Sequence, residues 1–509
     1  MMRSRGYGDR ILLAFFASCL LCMVLWHAAV TEDAYITFRV VDNFTHGYGL
    51  RWNIDERVQA YTNPLWLLLH IPFYAVWENI FYITLGLSLL CTAGAVALSI
   101  YTFEKPALQS VSLFLVPLIV SKTFADYATS GLENPLSYLL FAGFGWALLR
   151  ADKQRFWFWI TGFCALAMVN RLDTVILYAP VLIWLVWVRF KNVRWGQCLV
   201  AALPLVAWEC FSLIYYGFLF PNTKYAKLNA GIPQAAYIQQ GLHYLANLVA
   251  VDAPSALFLA AAVLLPFWAQ RARRPELVAL SLGVLAYSAY VVWVGGNHVS
   301  GRFWSLPVFA SIWLVCAAAH NIGKYWQMGI IAALALLFAL YPSINQLRME
   351  CPYCFTGDIR PTGDRYTLRD QIHGAQTLPA VDRFSLSSVR VSGGLGFYGY
   401  EAGPRVHIID PLALSDALLA RLPAASQYIG RIGHLKRAIP AGYADAIETG
   451  DTALMNSALA QYYNPLHSII SGDIWSVDRF AEIFKFNLGY YDEFRNDYIK
   501  QENHDAHYP

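Results

Sequence analysis

Two adjacent carboxylates, Glu32 and Asp33, follow directly on an apolar stretch at residues 11–30 that carries no Asp, Glu, Lys or Arg. Carboxylates at the edge of a membrane are costly to bury, and such residues are usually functional. A carboxylate within reach of an acceptor hydroxyl can take its proton, which is general-base chemistry. The alternative is that both are solvated loop acids. We expect Asp33 to be the catalytic base, with Glu32 beside it.

Later segments add the groups that a phosphate-bearing substrate would need. Arginine binds two phosphate oxygens through its planar guanidinium, whereas lysine acts as a point charge. The candidate ligands of a donor phosphate or sugar are Arg171, Lys224, Lys227, His298 and Arg302. The lone histidine among them is the weaker candidate. Two acids, Glu133 and Asp173, are candidate substrate contacts.

These residues also have structural alternatives. Arg171 and Asp173 lie two positions apart in NRLDT and could form an ion pair with each other. The two lysines lie among aromatic residues and could anchor the chain at a membrane interface. Glu133 could simply complement the dipole of a helix that it opens. The sequence leaves these alternatives open.

Membrane helices must position these groups. The chain has 509 residues, of which 57% are apolar and 14% charged, and its mean hydropathy is +0.40. Soluble domains average about 25% charged residues, and a spanning helix needs about 20 mostly apolar ones. We predict about eleven transmembrane helices, at 11–30, 80–103, 107–121, 132–149, 156–170, 174–188, 196–216, 254–269, 277–294, 303–320 and 327–345. The apolar stretch 64–77 is short and is predicted to be interfacial or re-entrant.

The distribution of basic residues predicts the orientation, because Lys and Arg favour the cytoplasmic side. With the amino terminus inside, the cytoplasmic pieces hold 14 Lys and Arg, whereas the opposite loops up to residue 302 hold 8. Every candidate site residue then lies on the extracytoplasmic side, and an odd number of spans places residues 346–509 there as well.

The charge balance changes near residue 345. Residues 1–345 carry 22 Lys and Arg against 15 Asp and Glu, whereas residues 346–509 carry 15 against 19. We therefore predict a transmembrane catalytic domain at 1–345 and an extracytoplasmic mixed α/β domain at 346–509. Within the second, 388–400 and 405–410 are predicted strands, and SDALLARL at 415–422 is a predicted short helix with a serine cap. Cys351 and Cys354 are predicted to form a local disulfide.

The sequence also disfavours several classes of function. A net charge of +3 with dispersed basic residues does not suggest nucleic-acid binding. No P-loop, Rossmann fingerprint or protease triad motif occurs, so the sequence shows no nucleotide site. A transporter of a lipid-linked sugar is an alternative of another class. However, the polar motifs lie on one side of the membrane, and no inverted repeat is visible.

The chain resembles the bacterial membrane arabinofuranosyltransferases (AftB-like enzymes and their pilin-modifying relatives) in motifs that occur in the same order. These are TEDAYITFRVVDNFTHGYGLRWN, ERVQAYTNPLW, SGLENPL, NRLDT, YYGFLFPNTKYAK, GGNHVSGRFWSLP and HIIDPLALSD. The resemblance covers roughly residues 30–425. It implies a GT-C glycosyltransferase fold and a donor in which arabinofuranose is linked to a polyprenyl phosphate. It also implies that Asp33 is the catalytic carboxylate and that the five basic residues contact the donor.

What the resemblance implies is therefore a glycosyltransferase of the bacterial cytoplasmic membrane, with its active site on the extracytoplasmic side. The residues do not distinguish arabinofuranose from other prenyl-linked sugars such as mannose or aminoarabinose. A polysaccharide, a glycolipid and a pilin-like protein all remain open as acceptors. No metal ligand is assigned among these residues and no cofactor is required by the sequence, although a divalent cation could help the phosphate to leave.

Overall fold

The computed structural model describes residues 7–103, 108–264, 274–319, 365–373, 388–425 and 434–505. The chain divides into two compact units whose segments alternate along the sequence. The first unit comprises Met1–Thr31, Phe81–Leu205 and Gln234–Ala375. The second unit comprises Glu32–Ile80, Val206–Pro233 and Gln376–Pro509.

The predicted domain boundary at residue 345 lies outside the described residues, and so does the predicted disulfide between Cys351 and Cys354. The second unit recruits two segments from before that boundary, 32–80 and 206–233. The division into a membrane domain and an outer domain stays a prediction.

The structure is mainly helical. Up to residue 233 the described helices are α1 (Tyr7–Trp26), α2 (Glu32–Thr45), α3 (Pro64–Tyr74), α4 (Ile80–Thr102), α5 (Leu108–Val120), α6 (Lys122–Tyr127), α7 (Asn134–Arg150), α8 (Phe156–Asn170), α9 (Val175–Arg189), α10 (Trp195–Tyr215) and α11 (Asn222–Leu228). Beyond residue 233 they are α12 (Gln234–Val251), α13 (Ala253–Leu264), α14 (Pro275–Trp293), α15 (Ser305–Ala319), α16 (Leu368–His373), α17 (Phe397–Ala402), α18 (Tyr443–Thr449), α19 (Ser457–Ser471), α20 (Val477–Asn487) and α21 (Asp492–Asp505). Short 3₁₀ turns lie at Leu172–Thr174, Phe190–Asn192, Arg302–Trp304 and Leu419–Arg421.

Four helical stretches among the described residues are long and apolar enough to cross a membrane: Ile80–Thr102, Leu172–Asn192, Trp195–Tyr215 and Pro275–Trp293. Helices α12 and α13 make a fifth if they are counted as one span, although they are bent by 117°. The chain is therefore a membrane protein.

The predicted number of eleven spans is not confirmed. Several predicted spans form shorter helices, such as α5 with 13 residues and α8 with 15. The predicted span 327–345 lies outside the described residues. The stretch 64–77 forms α3, whose 11 residues are too few to span.

Asp252 fixes the bend between α12 and α13. Its carboxylate accepts hydrogen bonds from the Thr123 backbone nitrogen and the Ser255 hydroxyl, both at 2.6 Å. Such a carboxylate satisfies donors at the start of a helix, so the chain can turn there without losing hydrogen bonds. The sequence analysis missed α12, because Gln, His and Asn interrupt its apolar residues.

The first unit contains a short antiparallel pair of strands, β1 (Ala29–Thr31) and β2 (Arg365–Thr367). The second unit contains a parallel pair, β3 (Ser388–Val391) and β4 (Val406–Ile409). The predicted strand 388–400 ends at β3, because α17 occupies the connection to β4.

One buried apolar cluster joins three sequence regions of the second unit, with Val58, Phe218, Leu418 and Leu466 among its members. The predicted helix 415–422 is only a 3₁₀ turn at Leu419–Arg421. Asp416, rather than the predicted serine, accepts the Leu419 backbone N–H at 2.8 Å.

Candidate active site

The acid pair opens helix α2 of the second unit. Glu32 and Asp33 form its first turn and are half-buried. The Glu32 carboxylate accepts the backbone N–H of Gly396, which lies in the glycine-rich loop before α17. A Cβ on Gly396 would lie 1.9 Å from the Glu32 carbonyl oxygen, so only glycine permits this approach.

Arg39 holds α2 in place. Its guanidinium donates to the carbonyl oxygens of Trp52 at 2.8 Å, Gly399 at 2.6 Å and Val406 at 2.8 Å. It also stacks 4.3 Å from the centre of the Trp52 ring, and only 1% of the residue is exposed. Charge-assisted hydrogen bonds of this kind are strong, so the direction of α2, and with it the acid pair, is well determined.

His434 lies near the predicted base within the same unit. A ring nitrogen of His434 and a carboxylate oxygen of Asp33 are within 4.8 Å of each other. The sequence analysis did not single out His434, since it lies beyond the recognised motifs. The pair offers one nitrogen and one oxygen, which are ligand types that many divalent cations accept.

In the first unit, Arg171 joins two of the predicted acids. Its guanidinium donates to Glu133 Oε1 at 2.8 Å and to both Asp173 oxygens, at 2.8 and 2.9 Å. The Tyr287 hydroxyl donates to Asp173 at 3.3 Å, and the Glu133 residue is fully buried. The ion pair that the sequence left open is therefore present, and it includes Glu133 as well.

The segment GGNHVSGRF presents His298 and Arg302, which are both half-buried. Tyr244 fixes this segment: its hydroxyl donates to the Val299 carbonyl at 3.1 Å and accepts the Phe303 N–H at 3.1 Å. Gly301 has φ +81°, a left-handed conformation that favours glycine. The backbone of this segment is therefore held in one defined conformation.

Helix α11 carries the two predicted lysines. The Lys224 ammonium lies 3.0 Å from the centre of the Phe220 ring, and Lys227 in the last turn is exposed. Asn222, which the sequence analysis did not select, donates to the carbonyl oxygens of Ala413 at 3.1 Å and Asp416 at 2.9 Å. The PNTKYAK motif is thus attached to the DPLALSD motif.

The DPLALSD loop contains two buried acids that the sequence analysis also missed. Asp410 accepts the backbone N–H groups of Leu412 and Leu414, at 2.7 and 2.6 Å, and Asp416 accepts the Tyr443 hydroxyl at 3.0 Å. Burial raises the pKa of Asp410 to about 7 and that of Asp416 to about 6. Asp410 precedes a proline and Asp416 follows a serine, and Asp, Pro and Ser are all common in turns. The sequence could therefore have indicated that these two side chains stabilise a turn.

The loop is also strained at Ala413, whose φ of 62° is unusual for a residue other than glycine. Such conformations cost free energy and persist where the surroundings impose them. Here the imposed contacts come from Asp410 within the loop and from Asn222 outside it. The loop therefore fixes the position of α11.

A further buried acid, Glu56, lies in the ERVQAYTNP motif of the second unit. Asn53 donates to its carboxylate at 3.0 Å, and burial raises the pKa of Glu56 to about 8. Its neighbour Asp55 is exposed and pairs with His407, whose Nδ1 is 2.8 Å from a carboxylate oxygen. Burial thus favours the protonated, neutral form of the Glu56 carboxyl.

Two curated proteins are similar to this chain. A terminal beta-(1->2)-arabinofuranosyltransferase of Mycobacterium tuberculosis is 27% identical over 327 residues, which are 55% of this chain and 51% of the relative. A protein of the same name from Corynebacterium glutamicum is 26% identical over 348 residues, which are 58% of this chain and 48% of the relative. The chain spans about half the length of the curated relatives it matches. No protein-family profile and no solved structure matches the chain.

The relatives' names agree with the family that the motifs indicated, and the apolar helices agree with a membrane-bound member. This similarity confirms the resemblance of the chain to the bacterial arabinofuranosyltransferases, an AftB-like family.

Proposed function

We propose that this protein is a membrane glycosyltransferase of the GT-C type that moves a pentofuranose, arabinofuranose, from a polyprenyl-phosphate donor to an acceptor hydroxyl. The observation that carries the proposal is the similarity to two terminal arabinofuranosyltransferases. The acid pair at the start of α2 supports it, because a transferase of this kind needs a base at a fixed position.

In the proposed reaction, Asp33 takes the proton of the acceptor hydroxyl as its oxygen attacks the anomeric carbon of the donor sugar. The bond between that carbon and the phosphate oxygen breaks, and its electron pair leaves with the polyprenyl phosphate. Glu32 orients the first turn of α2 through its bond to Gly396. No covalent enzyme intermediate is needed.

Basic residues hold the donor phosphate in this proposal. Arg302, His298, Lys224 and Lys227 are the proposed ligands, with Arg302 as the main one because its guanidinium can bind two oxygens. Arg171 is a weaker candidate, since its guanidinium already pairs with two carboxylates. For Glu133 and Asp173 the ion pair supports a positioning role, in which they set the direction of the Arg171 side chain.

A divalent cation would stabilise the negative charge on the leaving phosphate. Within the second unit, Asp33 and His434 supply one oxygen and one nitrogen, which are ligand atoms of suitable type. In the proposed reaction the proton of the acceptor hydroxyl goes to Asp33, with or without such a cation. Transfer measured in chelator, with and without added Mg²⁺ or Mn²⁺, tests the requirement.

We further propose about eleven spans in the bacterial cytoplasmic membrane, with the reaction on the extracytoplasmic side. The excess of basic residues in the predicted cytoplasmic loops supports this orientation. A reporter that is active only in the cytoplasm, fused after residue 509, should be silent. A strong signal would refute the orientation.

Reconstitution in vesicles with a panel of polyprenyl-phosphate sugars tests the function. The panel includes arabinofuranose, mannose and aminoarabinose, and mass analysis identifies the product on polysaccharide, glycolipid or pilin-like acceptors. We expect transfer from the arabinofuranose donor. Movement of intact donor across the vesicle membrane without transfer would instead indicate a transporter and refute the proposal.

A further inference from the structure

Helix α20 of the second unit has an exposed apolar stripe. Val477, Phe480, Phe484 and Leu488 expose 81%, 37%, 68% and 70% of their surfaces. Their spacing of three, four and four residues places them on one side of the helix and of the residue that follows it. Contiguous exposed apolar surfaces of this kind usually mark a contact with a partner or a membrane.

The opposite side of α20 is the buried one. Arg479, Ile483 and Phe486 point into the unit and are buried. The charged residues Asp478 and Lys485 are exposed, and at about 100° per residue they lie on the flank between the two apolar sides. The helix therefore has two apolar sides, although its folding requires only one.

The buried side of α20 attaches the helix to the end of a membrane-crossing helix. Arg479 donates to the carbonyl oxygens of Ile214 at 2.8 Å and Tyr215 at 2.9 Å, which are the last two residues of α10. Asn487 donates to the Gly217 carbonyl at 2.9 Å, just beyond that end. If α10 spans the membrane, as its length and apolar composition allow, its end lies at the membrane surface and α20 lies at the same depth.

Aromatic residues flank the stripe on both sides. Trp475 precedes α20 and is 73% exposed, whereas Tyr490 follows it and is 70% exposed. Trp and Tyr are enriched where a protein crosses the boundary between acyl chains and headgroups. The apolar stripe, the flanking aromatics and the fixed depth are the features of a helix that lies in a membrane interface.

We propose that α20 is an interfacial membrane helix whose Val477–Leu488 stripe inserts into the lipid leaflet at the end of α10. The stripe would contact lipid at the boundary between the acyl chains and the headgroups of the bilayer. This contact would hold the C-terminal part of the second unit against the membrane. The inference does not depend on the proposed sugar transfer.

Photocrosslinking tests this inference in the full chain reconstituted in phosphatidylethanolamine–phosphatidylglycerol vesicles. Benzoylphenylalanine replaces Phe484 in one variant, a change between aromatic residues, and Asp478 in the matched control. We expect lipid adducts at position 484, detected by mass analysis, at a level several-fold above those at position 478. Protein adducts at 484, to the same chain or to a second copy, would overturn the proposal. Equal lipid labelling at the two positions would also overturn it.

A second measurement does not rely on the crosslinker. Phe484→Glu places a charge on the stripe without touching the buried side of α20. In vesicles, this variant should expose α20 to amide hydrogen exchange several-fold faster than wild type, whereas Asp478→Asn should not. Exchange in vesicles that is unchanged by Phe484→Glu would contradict membrane insertion, whatever the result of the transfer assay.

Discussion

Replacing Gly396 by alanine should impair sugar transfer far more than replacing Gly394, although both glycines lie in the same loop. A Cβ on Gly396 would lie 1.9 Å from the Glu32 carbonyl oxygen, whereas a Cβ on Gly394 meets its first neighbour at 4.0 Å. Such contacts are essentially never shorter than 3.0 Å, so the loop and the first turn of α2 must separate by about 1 Å. The hydrogen bond from Gly396 to Glu32 would be lost with this movement.

The size of the effect follows from this displacement. A misplacement of about 1 Å can cost roughly 10²-fold in rate, which corresponds to about 2.7 kcal/mol in activation free energy. The backbone at Gly396 has φ −72° and ψ −79°, which alanine can adopt, so the clash alone causes the change. We expect kcat to fall about 10²-fold for Gly396→Ala and less than about twofold for Gly394→Ala.

The assay is initial-rate transfer by purified variants in vesicles, at saturating donor and acceptor, with thermal unfolding as a check of folding. A loss of kcat with an unchanged Tm supports the positioning of the acid pair by the loop. If Gly396→Ala folds normally and turns over like Gly394→Ala, the first turn of α2 does not position the reacting groups.

The remaining predictions concern charge. Asp33→Asn should lower kcat by about 10²–10⁴-fold with Tm unchanged, and near wild-type turnover would remove Asp33 from the role of base. Arg302→Lys should raise the apparent donor KM although the charge is kept, because lysine lacks the two-pronged guanidinium. Lys227→Ala should raise the donor KM more than the acceptor KM. If Arg302→Lys and Lys227→Ala both have the donor KM of the wild type, other basic residues bind the phosphate. Burial raises the pKa of Glu56 to about 8 from an ordinary value of 4.5, so the unfolded chain binds fewer protons between these values. The free energy of unfolding, and with it Tm, should therefore decrease as pH rises through this window. In Glu56→Gln, Tm should decrease less over the same pH range. A variant whose Tm depends on pH as strongly as that of the wild type would contradict this account.

Long apolar runs predicted several helices closely. The predicted spans 80–103, 156–170 and 196–216 correspond to Ile80–Thr102, Phe156–Asn170 and Trp195–Tyr215. A helix satisfies all its backbone hydrogen bonds within itself, so an apolar run determines a helix without help from distant residues. The motifs and their order could also be read directly from the sequence. The curated relatives confirm the resemblance that they indicated.

The stretch 31–63 was harder to predict, because it lacks such a run. The predicted spans leave this stretch between 11–30 and the interfacial stretch 64–77, without a predicted helix, although its first part forms α2. This helix depends on the buried Arg39, whose partners Gly399 and Val406 lie about 360 residues further along the chain. The helix propensity of residues 32–45 does not depend on such distant contacts, and tertiary contacts can override local propensity.

The sequence by itself determined that the chain enters a membrane, that acids and bases cluster in a few motifs, and which family those motifs resemble. Only the tertiary structure decided which of these charges are already paired. Glu133 lies 38 residues from Arg171 and 40 from Asp173, yet the three form one ion-pair network, while Asn222 reaches a loop more than 190 residues away. Ion pairs and side-chain hydrogen bonds depend on distance in space, and they impose no periodicity on the sequence that could reveal them.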